Sequence, residues 1–356
     1  GALAGYGMFL LHAALRVDML AAWFVWFMLL DNPHFFGTYS RTYLDREQWR
    51  ERRALLAGSL AWFFVPPAVL FLSFAMYRLG LDHYRSAILA LAAFVNLWAY
   101  WHVVRQHYGI LALYQRKNRD LEPKDRRVDG ALLYVGLLAP FAAFLVRHPE
   151  TRQVVGLSAG TEMKWEPGIM AASAAAVAIV AAGFLLRQLQ RLRSGLPANV
   201  PKILFLLAVV PLHVTICFSQ AVLTAPLLGF AAFVTIFHDV QYHALVWFYQ
   251  RNRYRGADPG RYGAAAWVGK SFLTFMLCAV AIGGATGFLA CGLDIQPGCV
   301  PLIRTSHITL FAEVTWRDAF FGVFLGFLMH HYFLDQFIWR PSRDFGLRRD
   351  LNLSAA

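Results

Sequence analysis

The stretch of sequence that decides the fold is Phe237-His238-Asp239-Val240-Gln241-Tyr242-His243, which lies between the apolar runs 228–236 and 244–249. An apolar segment of this length predicts a helix that spans a membrane. Ionisable side chains are costly inside a bilayer, so two histidines near the end of such a helix indicate a functional site. That interpretation depends on whether other segments bring partner residues to the same depth.

The composition is typical of a protein embedded in a membrane. Hydrophobic residues make up 58% of the 356-residue chain and charged residues 15%, whereas soluble domains carry about 25% charged residues. The mean hydropathy of +0.46 agrees with this class. The net charge of +12 comes from basic residues in loops between apolar runs. Because no basic patch is interleaved with exposed aromatic residues, we predict no nucleic-acid partner.

The apolar runs predict an all-α, polytopic membrane protein that forms one transmembrane helical domain over residues 1–356. The loops richest in lysine and arginine are 41–53, 115–129, 188–202, 250–264 and the tail, and they alternate along the chain. The positive-inside rule therefore predicts an outside N-terminus and a cytoplasmic C-terminus. About nine spans are predicted, at residues 9–30, 55–77, 86–104, 131–146, 169–187, 203–223, 229–249, 265–290 and 319–339.

Histidines gather at the predicted cytoplasmic ends of the odd-numbered spans. Because those spans all run from outside to inside, their ends share one depth in the membrane. Imidazoles at one depth on four helices are what a metal site in a helical bundle requires. The candidate metal ligands are seven of the twelve histidines: His34, His102, His107, His238, His243, His330 and His331.

Two of the histidine pairs have a spacing that also allows another interpretation. His102 and His107, like His238 and His243, are five residues apart, so on a regular helix their side chains point about 140° apart. Both members of a pair can face one ion only if a π-bulge or a helix end lies between them, near Val240 in the second pair. Taken alone, each pair is also typical of interfacial or hydrogen-bonded histidines.

The last predicted span adds a carboxylate. His330 and His331 point about 100° apart on a helix, so one of them is expected to face the site and the other a neighbouring element. Asp335, five residues after His330, is a candidate to orient an imidazole or to bind the metal. Asp31 has the same two interpretations beside His34. We take Asp335 and Asp31 as the candidate catalytic carboxylates.

Four short motifs together resemble a known family. They are Pro33-His34, His107-Tyr108-Gly109, His238 followed by His243-Ala244-Leu245-Val246-Trp247, and His330-His331-Tyr332-Phe333-Leu334-Asp335-Gln336-Phe337-Ile338-Trp339-Arg340-Pro341. In type and order they resemble motifs of the Brp/Blh family of bacterial, membrane-embedded, iron-dependent β-carotene 15,15′-dioxygenases.

The resemblance implies a multi-pass protein of a bacterial-type inner membrane that makes retinal. It implies iron ligands at His34, His107, His238 and His243, with His330 and Asp335 near the site. This chain spaces its close histidine pair by five residues where that family uses four. It also adds His102 and His331, which would complete a second metal position.

These features predict a membrane-embedded non-haem iron oxygenase that binds one or two Fe(II) ions and dioxygen. Neutral imidazoles with open coordination positions suit Fe(II). The expected substrate is a hydrophobic small molecule drawn from the bilayer, and oxidative cleavage of a carotenoid to retinal-like aldehydes is the leading case. The sequence leaves the oligomeric state open.

Three alternatives remain at this point. The first is a di-iron hydroxylase or desaturase-like enzyme acting on another lipid. The second is a bis-His haem protein, for which two imidazoles on facing helices are enough. The third is a metal or proton transporter, whose path across the membrane would have to continue through Asp18, His213 or Ser219.

The four cysteines lie away from the candidate metal ligands. Cys291 and Cys299 share a loop predicted to lie outside, where a disulfide is allowed. Cys217 and Cys278 are expected to act as small apolar residues within spans.

Overall fold

The computed structural model describes residues 1–154, 164–256, 259–295 and 300–353. Regular structure within these ranges is helical apart from one antiparallel hairpin of strands β1 (Thr309–Phe311) and β2 (Val314–Thr315). In chain order the α-helices are α1 (Ala2–Ala13), α2 (Met19–Trp26), α3 (Asn32–Arg41), α4 (Arg46–Glu51), α5 (Arg53–Ser59), α6 (Val65–Arg78), α7 (Ser86–Lys117), α8 (Pro123–Arg147), α9 (Pro149–Val154), α10 (Glu166–Arg193), α11 (Val200–Phe218), α12 (Gln220–Leu223), α13 (Leu227–Arg253), α14 (Pro259–Tyr262), α15 (Ala264–Val268), α16 (Phe272–Gly292), α17 (Trp316–Ile338) and α18 (Phe345–Asp350).

Six helical stretches of the described chain are long and apolar enough to cross a membrane, as a multi-pass membrane protein requires. They correspond to the second, third, fourth, fifth, sixth and eighth predicted spans: Arg53–Arg78, Ser86–Lys117, Pro123–Arg147, Glu166–Arg193, Val200–Phe218 and Phe272–Gly292. The other three predicted spans correspond to the stretch from α2 to α3, to α13 and to α17. These three carry five of the candidate histidines, and polar residues lower the mean hydropathy of a helix.

The first predicted span, residues 9–30, is wrong as a single helix. Helix α1 ends at Ala13 and α2 begins at Met19. Arg16, in the connection, has a left-handed backbone with φ of 53°. The Asp18 side chain accepts a 2.9 Å hydrogen bond from the Ala21 backbone amide, which starts the second helix. The helical stretch that carries His34 therefore begins ten residues later than predicted and ends at Arg41.

Three other predicted spans contain a change of helix type or a break. In the sixth, α11 ends at Phe218 and α12 begins at Gln220. Between α5 and α6 the chain forms a 3-10 turn at Leu60–Phe64, directly before Pro66 and Pro67 in the first turn of α6. The eighth predicted span is divided into α15 and α16. Ser271 begins α16 by accepting a 3.0 Å hydrogen bond from the Thr274 backbone amide.

Contacts divide the chain into two compact units. The first unit comprises residues 1–23 and 102–238 together with the end of the chain from Asn352. The second unit comprises residues 24–101 and 239–351. Helices α2, α7 and α13 each contribute residues to both units.

In the first unit, α8 packs against α10 and α11, and a charged network joins the ends of these helices. The fully buried Lys202 amine lies 2.7 Å from Asp120 and 2.8 Å from Asp129. Arg191 pairs with Asp120 at 2.9 Å. Buried charges are retained where they are paired, and these pairs fix the helices relative to one another within the unit. The free cysteine Cys217 is buried within α11, as the sequence predicts.

In the second unit, α16 packs against α3 through glycines four residues apart. A methyl group at Gly283 would overlap the Pro33 backbone, and one at Gly287 would overlap the Met28 sulfur. The Asn32 side chain donates a 3.3 Å hydrogen bond to the Gly283 carbonyl. Small residues at this spacing let helix backbones approach closely in membrane proteins. The glycine face of α16 thus supports the turn that presents His34.

The free cysteine Cys278 also lies within α16, as predicted for an apolar position. Cys291 lies near the end of that helix and is disulfide-bonded. The predicted partner, Cys299, lies outside the described residues.

Gly283→Ala is expected to destabilise the protein by about 1–3 kcal/mol, because the added methyl group must displace the Pro33 backbone. The matched control is Gly284→Ala, since a methyl group there meets nothing within 4 Å. We expect that control to be neutral or slightly stabilising. Thermal unfolding of both variants in detergent checks the prediction, and equal effects at the two positions would contradict it.

Candidate metal centre

Four of the buried histidines in the first unit form two ring pairs. The rings of His102 and His238 have centroids 5.1 Å apart at 76°. Those of His107 and His213 are 5.7 Å apart at 89°. The side-chain amide of Gln106 donates a 2.9 Å hydrogen bond to the His238 carbonyl. The partnership of His107 with His213 was not predicted, because nothing in the sequence indicates which helices are neighbours.

The second unit holds His34, His243, His330 and His331, and it brings two of them together. The Nε2 atoms of His34 and His331 lie 3.1 Å apart, with their rings nearly perpendicular at 81°. Both side chains are buried, with exposed fractions of 3% and 0%. This contact joins α3 to α17 and forms the centre of the candidate site.

The other ring nitrogen of His34 faces oxygen atoms. Nδ1 makes a short contact with the Asp31 backbone carbonyl, and it lies 3.8 Å from the Asp31 carboxylate. It also lies 3.5 Å from Oδ1 of Asp239. Trp26 donates a 2.8 Å hydrogen bond to the other oxygen of Asp239. Because a carbonyl can only accept a hydrogen bond, Nδ1 carries the proton of a neutral His34, and the lone pair lies on Nε2.

His331 is oriented by a group of hydroxyls. Its Nδ1 lies 2.8 Å from the Thr38 hydroxyl. Thr38 and Tyr242 donate to Oδ1 of Asp335 at 2.7 and 2.9 Å. With its proton on Asp335, Thr38 accepts from Nδ1 of His331, so the lone pair of His331 also lies on Nε2. The second oxygen of Asp335 is 3.8 Å from that Nε2 atom.

These hydrogen bonds leave two nitrogen lone pairs facing each other. The two Nε2 atoms are 3.1 Å apart. Two imidazole nitrogens bound at about 2.1 Å to one metal, at roughly a right angle, lie about 3 Å apart. Together with the carboxylate of Asp335, beside Nε2 of His331, His34 and His331 provide a donor set suited to a metal ion. The imidazole nitrogens that face the oxygens are the orienting contacts common around metal-bound histidines.

The predicted helix distortion occurs elsewhere in the chain. Helix α13 is a regular α-helix through Val240, so the π-bulge or helix end predicted between His238 and His243 is wrong. A π-helical turn instead occupies Phe27–Asp31, directly before α3. His243 donates from Nε2 to the Leu30 carbonyl of that turn at 3.2 Å. Such turns are frequent at functional sites, and here it immediately precedes His34.

His330 faces a different set of partners from its neighbour His331. Its Nε2 lies 2.8 Å from the Tyr43 hydroxyl and 3.0 Å from that of Ser59. Its ring stacks on Tyr39 with centroids 5.6 Å apart. The Tyr43 hydroxyl donates to the Leu56 carbonyl at 2.9 Å, so it accepts a hydrogen bond from Nε2 of His330. Of the two adjacent histidines, His331 therefore faces His34, and His330 faces hydroxyls of neighbouring elements.

Three residues of the site were missed at the sequence level. Asp239 lies between the two predicted histidines of α13 but was not considered as a ligand. Tyr242 follows it by three residues on the same helix face, and Thr38 follows His34 by one turn. The spacing of Tyr242 from Asp239 and of Thr38 from His34 could have indicated that these side chains share a helix face. Hydroxyl groups are common in membrane helices, so their role becomes evident only when the partner helices are known.

Comparisons with models of protein families, with curated proteins and with solved structures gave no match.

His331→Ala is expected to abolish stoichiometric metal binding, because it removes one of the two facing nitrogens. His330→Ala is the matched control, since it removes an adjacent buried imidazole whose Nε2 contacts hydroxyls. We expect the control to retain bound metal. Metal content per chain, measured on purified protein after equal loading, checks the prediction, which fails if both variants lose metal equally.

Thr38→Val is expected to weaken metal binding about 10–100-fold, because it removes the hydroxyl that orients His331 and Asp335. Thr42→Val is the control. Thr42 is also fully buried, but its hydroxyl donates to the Thr38 backbone carbonyl at 2.7 Å. Competition against a chelator of known affinity measures both variants, and an unchanged affinity in Thr38→Val would argue against the orienting role.

Proposed function

We propose that the protein is a membrane-embedded non-haem iron oxygenase whose Fe(II) is held by His34, His331 and Asp335, while Asp239 lies beside Nδ1 of His34. The carrying observation is the 3.1 Å approach of two imidazole nitrogens, flanked by carboxylates on both sides. Two histidines with a carboxylate are the ligand set of many iron oxygenases. When bound, Fe(II) at open coordination positions supplies activation of dioxygen.

The residues of the chain have their own tasks in this proposal. The Asp31 carbonyl and the Thr38 hydroxyl keep the Nε2 atoms of both histidines available as ligands. Trp26 and Tyr242 donate to the two carboxylates and hold them as oxygen acceptors. Burial of these groups excludes bulk water, which would compete with dioxygen and with an apolar substrate.

The proposed substrate is a hydrophobic small molecule drawn from the bilayer, with carotenoid cleavage to retinal-like aldehydes as the leading case. The apolar helices would give such a molecule access without passage through water. The short motifs shared with the Brp/Blh family favour a polyene over other lipids. The same resemblance favours a bacterial-type inner membrane, and the basic loops favour an N-terminus outside and a C-terminus in the cytoplasm.

A second candidate function is a di-iron hydroxylase or desaturase-like enzyme. Each facing histidine has its own carboxylate: Asp239 lies 3.5 Å from His34, and Asp335 lies 3.8 Å from His331. Two histidine–carboxylate pairs favour two ions as well as one, and metal ions in two-metal sites are about 3.5–4 Å apart. Iron content separates the two candidates, since the first requires one ion per chain and the second requires two.

The decisive experiment is expression of the protein in cells that make a carotenoid, followed by extraction and chromatography of the pigments. We expect loss of the carotenoid, appearance of a retinal-like aldehyde, and dependence of both on iron and oxygen. Asp335→Asn should lower the activity at least tenfold, because a neutral amide is a poorer iron ligand. Asp318→Asn is the control, since Asp318 caps the other end of α17 by accepting from Thr315.

Other outcomes identify the alternatives. Iron-loaded protein with intact carotenoid would redirect the search to another lipid substrate. Protein without stoichiometric metal would end the metalloenzyme proposal. A haem absorption spectrum would favour the bis-His haem alternative, and metal or proton uptake into vesicles would favour a transporter.

A further inference from the structure

Helices α3 and α17 are joined by three polar contacts with the same offset in sequence. The contacts are His34 with His331 at 3.1 Å, Thr38 with Asp335 at 2.7 Å, and Arg41 with the Ile338 carbonyl at 2.6 Å. Each joins residues 297 positions apart. A constant offset means that the helices run in the same direction and in one register. We call these the three register contacts.

The steps between register contacts follow helical geometry. Along both helices the contacts fall at the first, fifth and eighth positions, which lie on one side of an α-helix. They extend over about 10 Å of helix axis. A slip of α17 by one residue along α3 would move each contact by about 1.5 Å and break all three. The third contact, made by Arg41, lies outside the candidate ligand set.

Arg41 is fully buried and lies against two aromatic rings. Its guanidinium carbon lies 3.8 Å from the centre of the Trp339 ring and 4.2 Å from that of Tyr249. Its Nη2 donates to the last residue of α17. Within the described part of the chain, its Nε and Nη1 make no hydrogen bond. The arginine is therefore held by two ring faces and one directed hydrogen bond.

The acceptor of that hydrogen bond is a helix terminus. The last carbonyls of an α-helix have no partner within the helix and carry partial negative charge. A cation at this place is stabilising, and more so when it is buried. A planar guanidinium can stack on an aromatic ring while it donates in its own plane, and a lysine amine cannot do both. Arg41 thus binds the C-terminal end of α17 through this hydrogen bond.

Trp339 extends this contact toward the candidate site. The Trp339 ring lies against the Arg41 guanidinium, and its Nε1 donates a 3.4 Å hydrogen bond to the Tyr242 hydroxyl. Tyr242 in turn donates to Asp335. Arg41 therefore affects the position of Asp335 in two ways, through its hydrogen bond to the end of α17 and through its contact with Trp339.

We infer that Arg41 is a positioning residue that fixes the register of α3 and α17 and thereby the separation of His34 and His331. The geometry of the contacts is independent of any metal. Its importance for catalysis rests on the proposed function. A residue that merely stabilised the fold would lower the unfolding temperature without changing the separation of the histidines.

The test compares Arg41→Met and Arg41→Lys with Arg253→Met. Arg253 is a matched control because it is also buried in the second unit, where it pairs with Asp45 at 2.8 Å and with Glu47 at 2.7 Å. Spin labels are placed at Leu29, in the π-helical turn that leads into α3, and at Phe327 in α17. Their side chains are 48% and 39% exposed, and the distance between the labels reports the spacing of that turn and α17 in metal-free protein. The free cysteines Cys217 and Cys278 are replaced by alanine in all samples.

We expect one narrow distance in the parent protein and in Arg253→Met. Arg41→Met should broaden or shift that distance, and Arg41→Lys should not restore it. A second readout is the absorption spectrum of bound Co(II), which should change in both Arg41 variants and not in Arg253→Met. Cobalt affinity should fall at least tenfold with Arg41→Met.

Two results would overturn the inference. One is a distance distribution in Arg41→Met identical to that of the parent protein. The other is an equal change in Arg253→Met, which would show a general loss of packing. If the parent protein binds no metal, the proposed function fails, and the distance measurement still decides the role of Arg41.

Discussion

The structure of the second unit depends on the approach of two imidazole nitrogens in a place with no bulk water. His34 and His331 can share that place only if their opposite nitrogens find acceptors. The Asp31 carbonyl and the Thr38 hydroxyl are those acceptors. Helix ends, the glycine face of α16 and the register of α3 with α17 all support this pair of rings.

The need of buried polar groups for hydrogen-bond partners also explains which helices are less apolar. A membrane helix can carry polar side chains where another helix satisfies them. The stretch from α2 to α3, α13 and α17 carry the polar residues of the second unit's site, and they are the predicted spans that lack the apolarity of the other six. Polar content therefore identifies the helices that build the site as clearly as any motif.

Sequence reasoning predicted the helical membrane class and six of the spans, because hydropathy and residue spacing are local properties. It failed for the first span, where the left-handed Arg16 and the capping Asp18 divide the helix. It could not choose between His330 and His331, which depends on where Tyr43 lies. Thr38 and Asp239 were missed for the same reason, since their roles are set by neighbouring helices.

The π-helical turn at Phe27–Asp31 makes the length of the helix part of the site. A π turn accommodates one more residue than the α-helix around it. Deleting one residue there would restore a regular helix and leave the residues on either side of the turn in the same phase. Trp26 would still face Asp239, and the change would fall on the Leu30 and Asp31 carbonyls, which accept hydrogen bonds from His243 and His34. Alignments of this region that score residue types alone would overlook such a deletion, because the extra position acts through the backbone.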